Sequence, residues 1–417
     1  MGNLHKFFLA VLICEGCAVR LFANGFGLPD QDAFATGRGE AFVATADNPS
    51  AIYYNPAGIA QLKGDSLRGG LYGIYLDTRY TPPSAAPNSG NAYHSSADFA
   101  EIPQVFYVHS FEKLPVSLGL GVYFPYGGSM DWPQDTGFQP IAVSASLKYV
   151  TINPEIAVKI LPSLSIGIGA MVNYVYLKTA QGYPRSPGSF FDFEGSGWSA
   201  GGNAGILWKP IKQISLGATF RSSADVTLDG ETHYKVIPTT SGASTASMDM
   251  NFPWTVVAGI SYRPTPKWNL EFDANYTDWS TLGSFDLHEQ NPQRPFASDY
   301  TVNFDWQGSW IYELGVTRYF GHGWHASAGY AFNENSAPNS FYTPWAADLD
   351  RHLFSLGVGR TGKRFDFDIA YQLGYGPTHP VTGSQPSLQV EQNIVTRADG
   401  QYSFFSSAFI ASAGIHF

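Results

Sequence analysis

The chain is short of charge, short of cysteine and without a long apolar run, and each shortage removes a class of protein. Asp, Glu, Lys and Arg make up 14% of the 417 residues, whereas soluble domains carry about 25%. The longest uncharged apolar stretch, FFLAVLIC at 7–14, has eight residues; a membrane-spanning helix needs about 20. The two cysteines, Cys14 and Cys17, both fall at that amino-terminal stretch. Mean hydropathy is only −0.12, yet aromatics reach 15% and glycine 44 residues. This balance leaves a membrane protein without membrane helices, or a large secreted all-β protein.

The amino terminus sets the compartment. His5 and Lys6 precede the apolar run, and RLFA at 20–23 ends in a small residue, as in a secretory signal cleaved after Ala23. A buried amino-terminal helix is the alternative reading of the same residues. Cleavage removes both cysteines, so the mature chain is expected to have no disulfide, no thiolate metal site and no thiol nucleophile. It also takes Lys6, Arg20 and Glu15 away from the 24 basic and 34 acidic residues, leaving a net charge of about −11. Acidity spread without blocks argues against nucleic acid as a partner. No metal-ligand spacing, phosphate loop or nucleotide motif occurs, so no cofactor is expected.

What the chain does have, from residue 66 onward, is alternation. WNLEFDANYTDW at 268–279 sets Trp268, Leu270, Phe272, Ala274 and Tyr276 against Asn269, Glu271, Asp273, Asn275 and Thr277. A period of 2 puts these sets on opposite faces of a strand. RFDFDIAYQL at 364–373 repeats the pattern, and SLGATFRSSADVTL at 215–228 sets Leu216, Phe220, Ala224 and Val226 against Thr219, Arg221 and Asp225. Such segments fall near 66–80, 98–111, 116–125, 143–160, 164–179, 199–209, 214–230, 252–263, 268–280, 309–319, 324–332, 351–361, 364–374 and 402–417.

A soluble sandwich would bury the apolar face in a core. Two features favour a membrane barrel instead. Aromatics such as Trp254, Trp268, Trp310 and Trp324 mark strand ends, as interfacial girdles require. Connections also alternate short and long, with tight turns such as LPS at 161–163 and RPTPK at 263–267 on one rim and long loops on the other. The expected fold is all-β: a 14-stranded antiparallel transmembrane β-barrel over 65–417. The apolar set in 143–160 shifts from odd to even positions, which predicts a β-bulge near Val150 and Thr151. Segment 98–111 does not alternate.

A barrel of this width leaves a lumen that wall side chains alone do not fill. Residues 24–64 lack the period of 2 and are rich in Ala and Gly, with Ile52, Tyr53 and Tyr54 as apolar load. They are expected to form a plug of short helices inside the lumen, punctuated by Asn55, Pro56 and Ala57. A loose periplasmic leader is the alternative.

NGFGLPDQDAFATGRGEAFVATADNPSAIYYNPAGIAQL at 24–62 resembles the hatch of the FadL family, outer-membrane transporters of long-chain fatty acids and other hydrophobic compounds. FRSS at 220–223, FPWTVVAGISYRPTPKWNLEFDANYTDWS at 252–280 and TPWAADLDRHLFSLGVGR at 343–360 resemble barrel segments of the same family. The resemblance implies passive uptake across the bacterial outer membrane. Cargo would be captured on outer loops, passed to a lumen pocket, released by movement of the plug's amino terminus, and let out sideways through a kinked third strand.

On that scheme Phe26 is the pocket residue of the hatch, and Pro125, Gly127 and Gly128 mark the lateral opening, since Pro removes a ladder donor and Gly weakens pairing. Arg221, Arg38 and Lys178 are the cations offered to a carboxylate headgroup. Parity turns Lys178 outward, and a lumen salt bridge from Arg221 to Asp225, Glu271 or Asp273 is the competing use of that cation. Trp132, Phe138, Phe190 and Phe191, with Tyr183, are candidates for an outer capture surface, or for packing of loop on loop. The last strand, FIASAGIHF, ends in Phe417 like the signal read by barrel assembly machinery. The expected partners are a hydrophobic small molecule, outer-membrane lipids and that machinery, with the chain a monomer. A diffusion porin and an outer-membrane lipase are the rivals. The lipase would need a Ser–His pair, and His109, His352 and His416 stand at no nucleophile spacing.

Overall fold

The computed structural model describes residues 25–96, 99–182, 188–238, 240–291, 299–385 and 397–417. The expected signal, its cleavage point, Cys14 and Cys17, and Tyr183 lie outside the described residues. The wall is one antiparallel sheet closed on itself, its first strand β1 (Gly64–Thr81) pairing with its last, β14 (Gly400–His416), from Ser66↔His416 to Thr81↔Gln401. Between them run β2 (Phe99–Ser110), β3 (Val116–Asp131), β4 (Ser144–Leu161), β5 (Leu164–Gly182) and β6 (Phe190–Ile211). Next come β7, in two segments (Ile214–Arg221 and Ala224–Val236), and β8, also in two (Thr240–Phe252 and Thr255–Thr265). The circuit is completed by β9 (Trp268–Thr277), β10 (Ser309–Tyr319), β11 (Trp324–Asn333), β12 (Arg351–Thr361) and β13 (Phe365–Val381). Three short strands outside this count, at 93–94, 284–289 and 299–303, add to the outer edge. Fourteen wall strands is the number the alternation implies.

Leu270 and Phe272 of β9 are exposed on the outside, while Asn269, Glu271 and Asp273 are buried within. Polar side chains inside a wide barrel are buried only if something fills it. The filling is the hatch: helix α1 (Ala33–Thr36), helix α2 (Ala51–Tyr54) and a 3-10 turn at Pro56–Gln61. Asp32 caps α1 by accepting from the Phe34 N–H, and Asn55 caps the 3-10 turn by accepting from Ala57.

In β7 and β8 the structure departs from simple parity. Below the breaks at Ser222–Ser223 and Pro253–Trp254 the outward residues are apolar, among them Phe220, Val256 and Ile260. Above the breaks, Ala224, Val226 and Leu228 of β7 and Met248, Met250 and Phe252 of β8 turn inward and are buried. Ala224 and Val226 therefore do not share the face of Leu216 and Phe220 as uninterrupted alternation implies. The physical reason is the solvent outside: hydrocarbon surrounds the lower wall and an aqueous layer the upper wall, so the apolar face changes sides.

The same reversal replaces the expected bulge in β4. Odd residues face inward along the strand, from Ala145, Leu147 and Tyr149 to Thr151, Asn153 and Glu155. The lumen changes from apolar to polar while the register of β4 with β5 stays constant from Ser144↔Ala180 to Lys159↔Ser165. The irregularity lies in the neighbouring strand β3, where Tyr123 pairs Thr151 and Tyr126 pairs Tyr149, leaving Phe124 and Pro125 opposite Val150. β2 lacks alternation because its inward residues Phe106 and Val108 pack on Ile52 and Ile59 of the hatch, so both faces are apolar. Strands also run further outward than the segments of alternation imply, β3 reaching Asp131, β5 reaching Gly182, β6 starting at Phe190, and β7 and β8 taking up 231–236 and 240–252.

Candidate functional site

The hatch is seated by wall carboxylates. Asp273 accepts the N–H groups of Phe42 and Val43 at 2.7 and 2.8 Å. Glu271 accepts those of Ala44 and Thr45 at 2.7 and 3.0 Å, the Thr45 hydroxyl, and the Arg38 guanidinium at 3.0 Å. Two inward positions of one strand thus hold four consecutive backbone donors. On the opposite side Arg68 of β1 joins Asp32 of the hatch to Asp366 and Asp368 of β13. Asn55 donates to the carbonyls of Val43 and Ile206 at 2.8 and 3.0 Å. A Cβ on Gly205 would come within 2.2 Å of the Asn55 Oδ1, so the wall is bare where Asn55 and Pro56 dock.

The amino-terminal residues occupy a seam. β2 pairs with β3 only from Ser110↔Ser117 to Val105↔Val122. Beyond that point β3 stays paired to β4, its other edge is taken by the hatch as far as Gly127, and at its outer end Ser96 N donates to the Asp131 carbonyl at 2.8 Å. Leu28 N donates to the Pro125 carbonyl at 2.8 Å and Gly127 N to the Phe26 carbonyl at 3.0 Å. The Gln31 side-chain amide supplies both partners for Phe124, donating to its carbonyl at 2.8 Å and accepting from its N–H at 3.2 Å. An exposed strand edge with free donors and acceptors is unfavourable, and residues 26–31 satisfy this one in place of β2.

Next to the seam lies a cavity of about 60 Å³, reached by Leu28, Tyr53, Pro125, Tyr126, Arg221 and Trp279. Arg221 stacks over the Tyr53 ring, 4.5 Å from its centroid, and donates to the Tyr53 carbonyl at 3.0 Å. No carboxylate among the described residues forms an ion pair with it, so the competing salt bridges to Asp225, Glu271 and Asp273 do not occur. Glu40 also reaches the cavity and accepts from the Tyr54 hydroxyl at 2.7 Å. Burial, reinforced by the charge of Asp30, holds the Glu40 carboxyl well above the ordinary carboxylate range. Burial raises Asp30 as well, against hydrogen bonds from Glu40 and Gln372. Above the cavity the upper lumen is aromatic.

The structure gathers some of the sequence candidates here and disperses others. Phe26 is buried between Trp306 and Trp279, with ring centroids at 5.2 and 6.0 Å. Pro125 and Gly127 lie on the seam, with Gly128 beside them and paired to Leu147 of β4. Arg38 is fully buried in its pair with Glu271 and does not line the cavity. Lys178 faces outward, paired with Glu194 at 2.7 Å on the barrel exterior, and is not part of the lumen site. Trp132, Phe138 and Phe191 are buried rather than displayed, Trp132 donating to the Pro344 carbonyl at 3.0 Å. Together they roof the apolar upper lumen, and Phe190 is half-buried at the outer end of β6. An exposed capture patch made of these side chains is not what they form.

Gln31, Glu271 and Asp273 carry the site, and none of them is among the sequence candidates for binding or gating. Alternation already turned Glu271 and Asp273 inward, which was the available signal. Nothing local marked Gln31.

Residues 16–409 match the family described as outer membrane protein transport protein (OMPP1/FadL/TodX). The long-chain fatty acid transport protein of Escherichia coli O6:H1 is 23% identical over 405 residues, spanning 87% of this chain and 88% of its own. A 47 kDa outer membrane protein of Pasteurella multocida is 23% identical over 408 residues, spanning 90% and 92%. Among solved structures, a Pseudomonas aeruginosa FadL homologue superposes with a TM-score of 0.82 at 18% identity, covering 94% of this chain and 100% of that one. The Pseudomonas putida toluene transporter TodX gives 0.70 at 13% identity, with 93% and 98% covered.

Proposed function

Because the chain belongs to the OMPP1/FadL/TodX family of outer-membrane transport proteins, we propose a route for a cargo through this wall. The protein is an outer-membrane channel for passive uptake of hydrophobic compounds, and not an enzyme. The cargo is a long-chain fatty acid or a similarly apolar molecule. It enters through the aromatic upper lumen, displaces Phe26 from between Trp279 and Trp306, and presents any carboxylate to Arg221. Residues 26–31 then leave the edge of β3, and the cargo passes sideways into the bilayer between β2 and β3. Transfer of apolar surface out of water, worth about 25 cal/mol per Å², together with the gradient, drives the passage. The chain works as a monomer and is inserted by barrel assembly machinery that reads its final strand.

The observation that carries this reading is the interrupted pairing of β2 with β3, closed by the chain's own amino terminus. The test is reconstitution in liposomes, with fatty-acid and toluene flux measured beside ion current. Flux of the apolar compound with little ion current supports the route. High current without apolar flux would identify a diffusion porin. Replacing Gly127 or Gly128 by Trp should block flux, and undiminished flux would place the exit elsewhere.

A further inference from the structure

The outside of the barrel carries a recess that the transport route does not use. It has a volume of about 520 Å³ and lies on the membrane face of β8, β9, β10 and β11, among Tyr262, Leu270, Phe272, Leu314, Val316 and Tyr330. Its cause is local. Ala326 and Ala328 are successive outward residues of β11, set between the large side chains of Trp324 and Tyr330. Val316, opposite Ala328 on β10, is also smaller than its outward neighbour Leu314. The wall is therefore hollow where the rest of the apolar belt is filled.

Directly below the recess, at the rim of short turns, the same strands carry cations. Arg318 of β10 pairs in register with Trp268 of β9 and lies 4.7 Å from its ring, with Phe320 at 5.6 Å. Lys267 precedes Trp268, and its carbonyl accepts from Tyr319 at 2.8 Å. Arg360 of β12 pairs with Trp324 and lies 5.9 Å from its ring. All three cations are exposed, and none forms an ion pair with a carboxylate among the described residues. Short turns form the periplasmic rim of an outer-membrane barrel, so this ledge stands at the headgroups of the inner leaflet.

We propose that this recess and ledge are a binding site for an anionic phospholipid of the inner leaflet. One acyl chain lies in the recess over Ala328, and the phosphate meets Lys267, Arg318 and Arg360. Charge complementarity selects the occupant: three unpaired cations sit at one end of an apolar slot, which is the order of groups in a single acidic lipid. The Arg318 guanidinium lies over Trp268 and that of Arg360 over Trp324, where Arg360 also donates from Nε to the His322 carbonyl at 3.3 Å, so both stand beside the interface with further N–H groups to offer a phosphate. A basic pocket at the cytoplasmic side of helical membrane proteins recognises acidic headgroups by the same physics.

The test is native mass spectrometry of the full chain in mild detergent, titrated separately with phosphatidylglycerol and phosphatidylcholine. Wild type is expected to retain one phosphatidylglycerol at least tenfold more tightly than phosphatidylcholine. Lys267→Gln/Arg318→Gln/Arg360→Gln should bring the two lipids within threefold of each other. Ala328→Trp, which fills the recess, should lose both. Ala328→Leu serves the same purpose if the first substitution impairs assembly, judged by the heat-dependent shift in gel migration. Inorganic phosphate at the same concentration should leave lipid retention unchanged. Equal binding of the two lipids by wild type, wild-type binding by the triple variant, or displacement of the lipid by free phosphate would overturn the proposal. So would a dimer lost on Ala328→Trp, since the occupant would then be a second copy of the chain.

Discussion

Removing the Glu271 carboxylate should free the hatch without dismantling the wall. In Glu271→Ala the Arg38 guanidinium loses its ion-pair partner at 3.0 Å with both side chains fully buried. Breaking such a pair from one side costs about 3–5 kcal/mol, because the remaining charge stays buried and uncompensated. The N–H groups of Ala44 and Thr45 lose their acceptor as well, at about 1–3 kcal/mol each when left unsatisfied. Water entering behind the truncated side chain offsets part of this, so about 3–5 kcal/mol is the working figure. At 1.4 kcal/mol per decade, the released hatch becomes roughly 10² to 4 × 10³ times more populated. Outward Leu270 and Phe272 are untouched, and β9 keeps its ladder to β8 and β10. Amide hydrogen exchange in detergent reads the effect at Phe42–Thr45, which should speed by the same factor while β9 itself remains protected. The companion Arg38→Met/Glu271→Leu should recover the part due to the stranded guanidinium, because a buried pair replaced from both sides is close to neutral, while the Ala44 and Thr45 N–H groups stay without their acceptor. Exchange at Ala44 and Thr45 within threefold of wild type in Glu271→Ala would refute the reasoning.

Three further outcomes are expected. Gln31→Leu removes both side-chain bonds to Phe124 and should raise basal ion leakage through reconstituted channels several-fold while the heat-dependent gel shift of the folded barrel is kept; unchanged leakage would separate Gln31 from the seam. Seating of the hatch should weaken as pH rises from 5 to 8. Glu40 and Asp30 have carboxyls raised chiefly by burial, so between about pH 4.3 and their raised values the seated hatch holds protons that the released hatch gives up. Protease nicking of the hatch should accordingly be faster at pH 8 than at pH 5, and Glu40→Gln should flatten the difference. Gly329→Ala places a Cβ within 2.0 Å of the Gly39 nitrogen, a contact that neither backbone can relieve, and should shorten the lifetime of the closed state in single-channel recordings without preventing barrel assembly.

The wall was legible because its chemistry is repetitive: residues 268–277 alternate without exception, and the strand follows them. Reading failed where the surroundings change along one strand. Val226 and Met250 are apolar residues that face inward because the upper wall is surrounded by water, and a parity rule has no knowledge of height. β4 shows the same limit, since Tyr149 and Ile152 lie on opposite faces yet both are apolar. The hatch was legible as a filling because it lacks a period and carries Ile52, Tyr53 and Tyr54. Its seat was not legible, since Glu271 meets Ala44 and Thr45 across more than 220 positions. Likewise, Gln31 acquires its role only because β3 leaves β2 after Val122.

The distribution of anchors decides which part of the hatch can move. Residues 32–61 are held by Asp32 on Arg68, by Arg38 on Glu271, by four backbone donors on Glu271 and Asp273, and by Asn55 on two carbonyls. Two of these are buried ion pairs, each costing about 3–5 kcal/mol to open from one side. Residues 26–31 are held by two backbone bonds to β3, the Gln31 amide, the Tyr54 hydroxyl on the Pro29 carbonyl, the Gln372 amide on Asp30 and the contacts of Phe26 with tryptophan. Neutral hydrogen bonds contribute about 1 kcal/mol each, and an aromatic contact about 0.5–1.5 kcal/mol beyond its buried area. An apolar cargo entering between Trp279 and Trp306 replaces the burial that Phe26 provides, so the cost of releasing the segment falls to its few neutral bonds. Displacing the body of the hatch would instead strand Arg38 and Arg68 in a low-dielectric lumen with nothing supplied in return. On the proposed route the gate is therefore confined to the first few residues ahead of Asp32, and the rest of the plug stays seated.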